Sequence, residues 1–176
     1  MKTLSPTIGY ALLGFLRQRP LHGYAIHQQL SDPVGLGQVW QLKLSQLYAL
    51  LGKLEEVDYV TTEVEMQTSR PPRKLFHLTA AGEEAFAMWV RGSVTHGRHL
   101  RLEFLVKLYF ARQEGTTVAL QLLANQRAQC QLWLSAEQAK VEESAGEYGR
   151  LVHRFRLGQI QAMLAWLDDC QGVIGV

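Results

Sequence analysis

At 176 residues, 47 % of them hydrophobic, the chain can build one ordinary domain or two small ones around a packed core, which excludes wholesale disorder. Eighteen cations against sixteen anions leave a net charge of +2, so the chain is not the strongly basic domain that usually marks a nucleic-acid binder, and any contact with phosphates must rest on where the cations sit. No apolar run approaches the roughly 20 residues of a membrane helix. Cys130 and Cys170 are too few and too distant for a disulfide framework, so a cytoplasmic protein with reduced thiols is expected.

Ser5-Pro6 reads as a helix start, with Ser5 as N-cap and Pro6 at the first helical position, where its missing N–H costs nothing. Ile8, Leu12, Phe15 and Leu16 mark one helical face, and Pro20 ends the helix. A second helix follows in HGYAIHQQL, with Tyr24, Ile26 and Leu30 as its apolar members; SDPVGLG is then a loop by its Pro and Gly content. The third helix has the strongest pattern. Ser45 is its expected N-cap, and Leu47, Leu50, Leu51 and Leu54 recur at i, i+3, i+4 and i+7, a stripe that must face a core. Gln46, Tyr48, Ala49, Gly52, Lys53 and Glu56 then lie opposite. A glycine inside a helix costs about 1 kcal/mol relative to alanine. Gly52 is therefore either a point of close approach by something large or a tolerated surface glycine.

At Tyr59 the period changes. Residues 59–66 are rich in β-branched side chains and alternate from Thr62 on, and Lys74 to Leu78 is a second short strand. The stretch QTSRPPR between them is too long and proline-rich for a tight turn, so it is expected to project as a flap carrying Arg70, Arg73 and Lys74. Thr79 caps a fourth helix, with Glu83 and Glu84 at the positive end of its dipole. Beyond about Thr95 the chain reads as helical. Leu102, Leu105, Val106, Tyr109 and Phe110 form one stripe, closed by Glu114-Gly115. Thr116 or Thr117 caps a long helix that runs on through Ser135, and a last helix carries Leu157, Ile160, Leu164 and Leu167 at spacings of 3, 4 and 3.

Three helices, a two-stranded ribbon with a basic tip, then more helices make the fold class mainly α with a small wing. This is the layout of a winged helix-turn-helix, in which the third helix enters the major groove and the ribbon tip reaches along the backbone or into the minor groove. The expected organisation is a DNA-binding domain over 1–94 and a helical dimerisation domain over 95–176. YALLGFLRQRPLHGYAIHQQL, LSQLYALLGKLEEVDYV and RPPRKLFHLTAAGEEA resemble the winged-helix domain of PadR-family transcriptional regulators, over about residues 8 to 86. RLEFLVKLYFA and LGQIQAMLAWL are similar, more loosely, to the helical C-terminal region of PadR regulators of the virulence activator AphA type. The resemblance implies a homodimer, most often a repressor, reading a two-fold operator in double-stranded DNA. By position it puts Ser45, Gln46, Tyr48 and Lys53 on the reading helix and Arg70, Arg73 and Lys74 on the wing. Where the family usually has Gly, after the Leu-Glu-x-x step, this chain has Asp58, a residue that tolerates a left-handed C-cap better than most.

The DNA-contacting residues are thus expected to be Lys43, Ser45, Gln46, Tyr48, Ala49, Lys53, Arg70, Arg73 and Lys74, with base reading left mainly to Ser45, Gln46 and Ala49. Leu157, Ile160, Leu164 and Leu167 are the expected dimer seam. Trp89, Trp133 and Trp166 are either core aromatics or a site for a small aromatic effector, since some PadR regulators are similar in binding flat compounds with aromatic residues. His96 and His99 lie near no Cys, Asp or third His, so a hinge is expected there and no metal or cofactor. No nucleophile elbow, phosphate loop or acid/base carboxylate pair marks an enzyme. Two rivals stay open: a winged helix that binds protein, and a ligand-binding helical dimer with weak DNA contacts.

Overall fold

A computed structural model of the chain describes residues 6–66 and 72–175, with side chains from Gly9 onward. Ser5, the expected first N-cap, and Arg70 and Pro71 of the flap lie outside the described residues. In chain order the elements are α1 (Pro6–Leu16), β1 (Leu21–His22), α2 (Gly23–Leu30), α3 (Leu44–Glu56), β2 (Val60–Glu65), β3 (Arg73–Leu78), α4 (Ala80–Arg91), α5 (Glu103–Glu114), α6 (Thr116–Glu143) and α7 (Glu147–Ile174). Short 3-10 turns at Leu36–Gln38 and Gly97–Arg101 precede α3 and α5. The chain forms two compact units. One is the chain up to Val90 with Leu105–Phe110 from the middle of α5; the other is Arg91–Phe104 with Ala111 onward.

In the first unit the leucine stripe of α3 is buried at all four positions, against a core that includes Ala11, Leu12 and Leu13 of α1 and Ile26 and Leu30 of α2. Tyr24, expected among the apolar members of α2, is 59 % exposed. The reason is geometric: positions 24 and 26 are two apart and cannot share a helix face. Phe110 packs edge-to-face with Phe15 and Phe86 at centroid distances of 5.2 and 5.5 Å, and Tyr10 stacks on Trp89 at 5.6 Å.

The ribbon gains a strand. β2 and β3 pair antiparallel in the register Val60↔Leu78 to Glu65↔Arg73, and β1 pairs on the other side of β3 through Leu21↔Phe76 and His22↔Leu75. The order is therefore β1-β3-β2, a three-stranded sheet in place of a two-stranded one. Two residues are too few for a period-2 pattern; what places them is long-range pairing, with Leu21 buried opposite buried Phe76.

The corner between α3 and β2 accounts for the motif Leu-Thr-x-x-Gly. Asp58 takes the left-handed conformation at φ 57°, as its position after the helix requires. Thr79 Oγ1 donates to the Asp58 carbonyl at 2.7 Å, and the Thr79 N–H donates to the Tyr59 carbonyl at 3.1 Å. The same Oγ1 accepts the Gly82 N–H at 3.0 Å, capping α4 as expected. A Cβ at Gly82 would lie 2.1 Å from the Tyr59 oxygen, so only glycine lets α4 start this close to the corner.

In the second unit α6 and α7 form an antiparallel pair, fixed by Arg127 Nε–Asp168 at 2.7 Å and His153 Nδ1–Glu137 at 2.6 Å. Ala119, Leu122, Leu123 and Cys130 bury one face of α6, and burial pushes the Cys130 thiol pKa up. Gln126, also buried there, accepts the Val94 N–H at 2.7 Å. α6 runs unbroken through Ser135, as expected. Its N-cap, however, is Gly115 in a positive-φ conformation rather than Thr116 or Thr117, and no side chain caps it.

Candidate nucleic-acid interface

With its leucines inward, α3 turns a polar face to solvent, where Lys43, Ser45, Gln46, Tyr48, Ala49 and Lys53 are all exposed. The N-cap is Lys43, not Ser45; Ser45 is the second helical residue. The start is held instead by Gln46, whose Oε1 accepts the Lys43 N–H at 3.1 Å while its Nε2 donors stay available. Gly52 has open space on its Cα, with no atom beyond its neighbours and its own helix backbone within 4 Å of where a Cβ would be.

Tyr48, expected among the DNA-contacting residues, is partly exposed and partly packed. Its ring is 45 % exposed. The buried side lies on Gly23, where an added Cβ would meet ring carbons at 2.6 and 2.8 Å. Gly23 therefore gives Tyr48 its place, and the outward half borders a cleft of about 410 Å³ lined by His22, Tyr24, Tyr48, Pro72, Arg73 and Lys74. Two aromatic hydroxyls and two cations thus converge on one opening, a donor set suited to phosphate oxygens. Tyr24 was missed at this site because it was counted as core; the i, i+2 offset from Ile26 was the signal that could have found it. The His22 ring holds the wing base, with Nδ1 3.1 Å from the Lys74 carbonyl and Nε2 3.3 Å from Glu65.

The wing carries acids beside its cations. Lys74 Nζ is 3.5 Å from Glu55, whose other carboxylate oxygen accepts the Thr62 hydroxyl, and His77 is 3.4 Å from Glu63. Arg73 is exposed and makes no ion pair among the described residues. Arg70 lies outside them.

The remaining candidates fall in other places. Trp89 belongs to the aromatic core of the first unit, under the Lys107 ammonium at 5.3 Å. Trp166 and Phe104 pack edge-to-face at 5.9 Å within the second unit, and Trp133 lines a separate cleft there. On α7, Leu167 is buried within its own chain, while Leu157, Ile160 and Leu164 are half-buried. The exposed large apolar residues of α7 are Tyr148, Leu151, Phe155 and Val173, on a different side of the helix. Among the described residues no three His, Cys, Asp or Glu could hold a metal, and no helix is long and apolar enough to cross a membrane.

Two family models match the chain: the Transcriptional regulator PadR-like family over residues 12–88 and the Virulence activator alpha C-term family over residues 100–174. The negative transcriptional regulator PadR of Bacillus subtilis is 30 % identical over 143 residues, covering 81 % of this chain and 74 % of that one. The crystal structure of Bacillus subtilis PadR in complex with operator DNA is similar at a TM-score of 0.50 and 26 % identity, covering 97 % and 99 % of the two chains. That of the same protein with p-coumaric acid matches at a TM-score of 0.43 and 25 % identity, covering 99 % of each. Extended similarity to a PadR regulator, together with a winged-helix unit whose third helix is exposed on its polar face, makes this chain a member of the PadR-like family of transcriptional regulators.

Proposed function

We propose that the protein is a cytoplasmic, dimeric repressor that binds a two-fold DNA operator and answers to a small aromatic effector. The observation that carries the reading is that Tyr48, on the solvent face of α3, shares one cleft with Tyr24, Arg73 and Lys74. Lys43, Lys53, Arg73 and Lys74, with Arg70, would contact phosphates, while Ser45, Gln46 and Ala49 reach base edges. Repression is supported by the relative, which is a negative regulator. The winged unit would do the DNA binding and the helical unit the pairing. One winged unit reads only a half-site, so a two-fold operator needs two copies at a fixed separation. Leu157, Ile160 and Leu164 remain candidates for the seam, and the exposed Tyr148, Leu151 and Phe155, on the other side of α7, form a second candidate face. Trp133, in its own cleft, supports the effector.

The test is to select bound fragments from genomic DNA and then measure wild type and Gln46→Ala by fluorescence anisotropy. Wild type should prefer the selected site over random duplex. Gln46→Ala should lose about 1–3 kcal/mol of that preference with little change in random-duplex affinity. No preference in wild type would rule the reading out.

A further inference from the structure

The second unit holds a concentration of positive charge that DNA reading by the winged unit does not use. A cleft of about 480 Å³ opens between the Gly97–Arg101 turn, α6 and α7. Arg98, Arg101, Lys140 and Arg156 line it, against the single carboxylate of Glu137. The local excess of three positive charges, with histidines neutral, exceeds the net +2 of the whole chain. Glu137 cannot neutralise them all. It is 8 % exposed and takes His153 at 2.6 Å, Lys140 at 3.1 Å and Arg156 at 3.7 Å. Arg98 and Arg101 are exposed at the rim and meet no carboxylate among the described residues.

Thr95, His96 and Gln159 add neutral polar groups, and the remaining wall is apolar. A Cβ at Gly97 would lie 3.3 Å from Met163 Cε and 3.9 Å from the Trp133 ring, so the turn, the thioether and the indole edge form one wall, extended by Ile160. Sites for small organic ligands commonly span about 300–1,000 Å³ and combine such walls with a few polar groups. Guanidinium groups bind carboxylate and phosphate oxygens through paired N–H donors.

We infer that this cleft binds a small aromatic compound carrying at least two negative charges, as phosphate or carboxylate, with its ring against Trp133 and Met163 and its anionic group between Arg98 and Arg101. A monoanion would leave most of the surplus uncompensated. The ligand's regulatory meaning rests on the effector reading above, but its binding does not.

The experiment is calorimetric titration of the full chain, without DNA, with four probes: 1-naphthyl phosphate, 2-naphthoate, neutral 2-naphthamide and inorganic phosphate. Naphthyl phosphate should bind one per chain, ahead of naphthoate, and at least about tenfold more tightly than naphthamide or phosphate, since charged hydrogen bonds account for differences of that size. Arg98→Ala with Arg101→Ala should weaken naphthyl phosphate by roughly 10–100-fold at unchanged helicity by circular dichroism. Trp133→Leu should weaken it while sparing inorganic phosphate. Equal binding of naphthamide, or of naphthoate, would overturn the charge requirement; equal binding of inorganic phosphate would overturn the aromatic one. An unchanged double variant would remove the arginines from the site. If no naphthyl compound binds, and the double variant instead loses affinity for random duplex, the arginines serve DNA and the inference is wrong. Operator binding by wild type is measured separately, so a failed regulator reading cannot be mistaken for a failed ligand site.

Discussion

Gly23 and Tyr48 act as one structural feature: the ring occupies the space that any side chain at position 23 would need. Gly23→Ala should destabilise the fold by about 1–3 kcal/mol, the usual range for overpacking. In a Tyr48→Ala background the same substitution should cost much less, because the clashing ring is gone. Urea unfolding of the four proteins of this cycle gives the coupling, and additive effects would show that Tyr48 does not rest on Gly23. At this scale the sequence was legible where periodicity spoke. Leu47, Leu50, Leu51 and Leu54 are buried as their spacing requires, and Asp58 is left-handed as its position after α3 requires. It was illegible where a side chain reaches back along the backbone, as Gln46 does to Lys43, moving the cap two residues from Ser45.

Elements carry the charge arguments. Replacing Arg70 and Arg73 with Ala should weaken operator and random duplex alike and reduce the salt slope, by up to about 4 for a dimer at roughly 1 per phosphate contact. Binding isotherms at several salt concentrations measure it; an unchanged slope would place the wing away from the backbone. In the helical pair, Glu137 joins α6 to α7. Burial alone pushes its pKa up, but hydrogen bonds from His153 and Lys140 and their charges outweigh it, so the carboxyl is held below its ordinary value. A lowered folded pKa stabilises above the unfolded value, about 4.3 for Glu, and that stability is lost as pH falls through the folded one. Glu137→Gln should therefore lower Tm at pH 7, with the gap to wild type closing below about pH 4. A gap that persists in acid would point to packing rather than charge. The two strands of the ribbon were readable from β-branched alternation. Its third strand was not, because nothing local in Leu21-His22 announces a partner more than fifty residues away.

At the scale of the whole molecule, the proposed dimer turns on which face of α7 is shared. Leu151→Asp with Phe155→Asp places charges among exposed apolar side chains, so the monomer fold should survive while the dimer dissociates. Sedimentation at low micromolar concentration should show a monomer, and operator affinity should fall with it. A variant that stays dimeric would move the seam to another face. A leucine stripe alone could not separate pairing within the chain from pairing between chains, since both bury one side of a helix; Leu167 is already taken by its own chain.

The acids beside the wing's cations set how the protein behaves in a genome. A regulator must find one site among roughly 10⁶–10⁹ competing ones, and unbalanced cations would hold it on every stretch of duplex it met. Glu55, within reach of Lys74, is a tethered rival to the phosphates, always present at high local concentration. A random duplex must displace it for electrostatic gain alone, whereas an operator adds base contacts to the exchange. Such a wing trades raw affinity for a short residence on the wrong sequence, and so for a faster search.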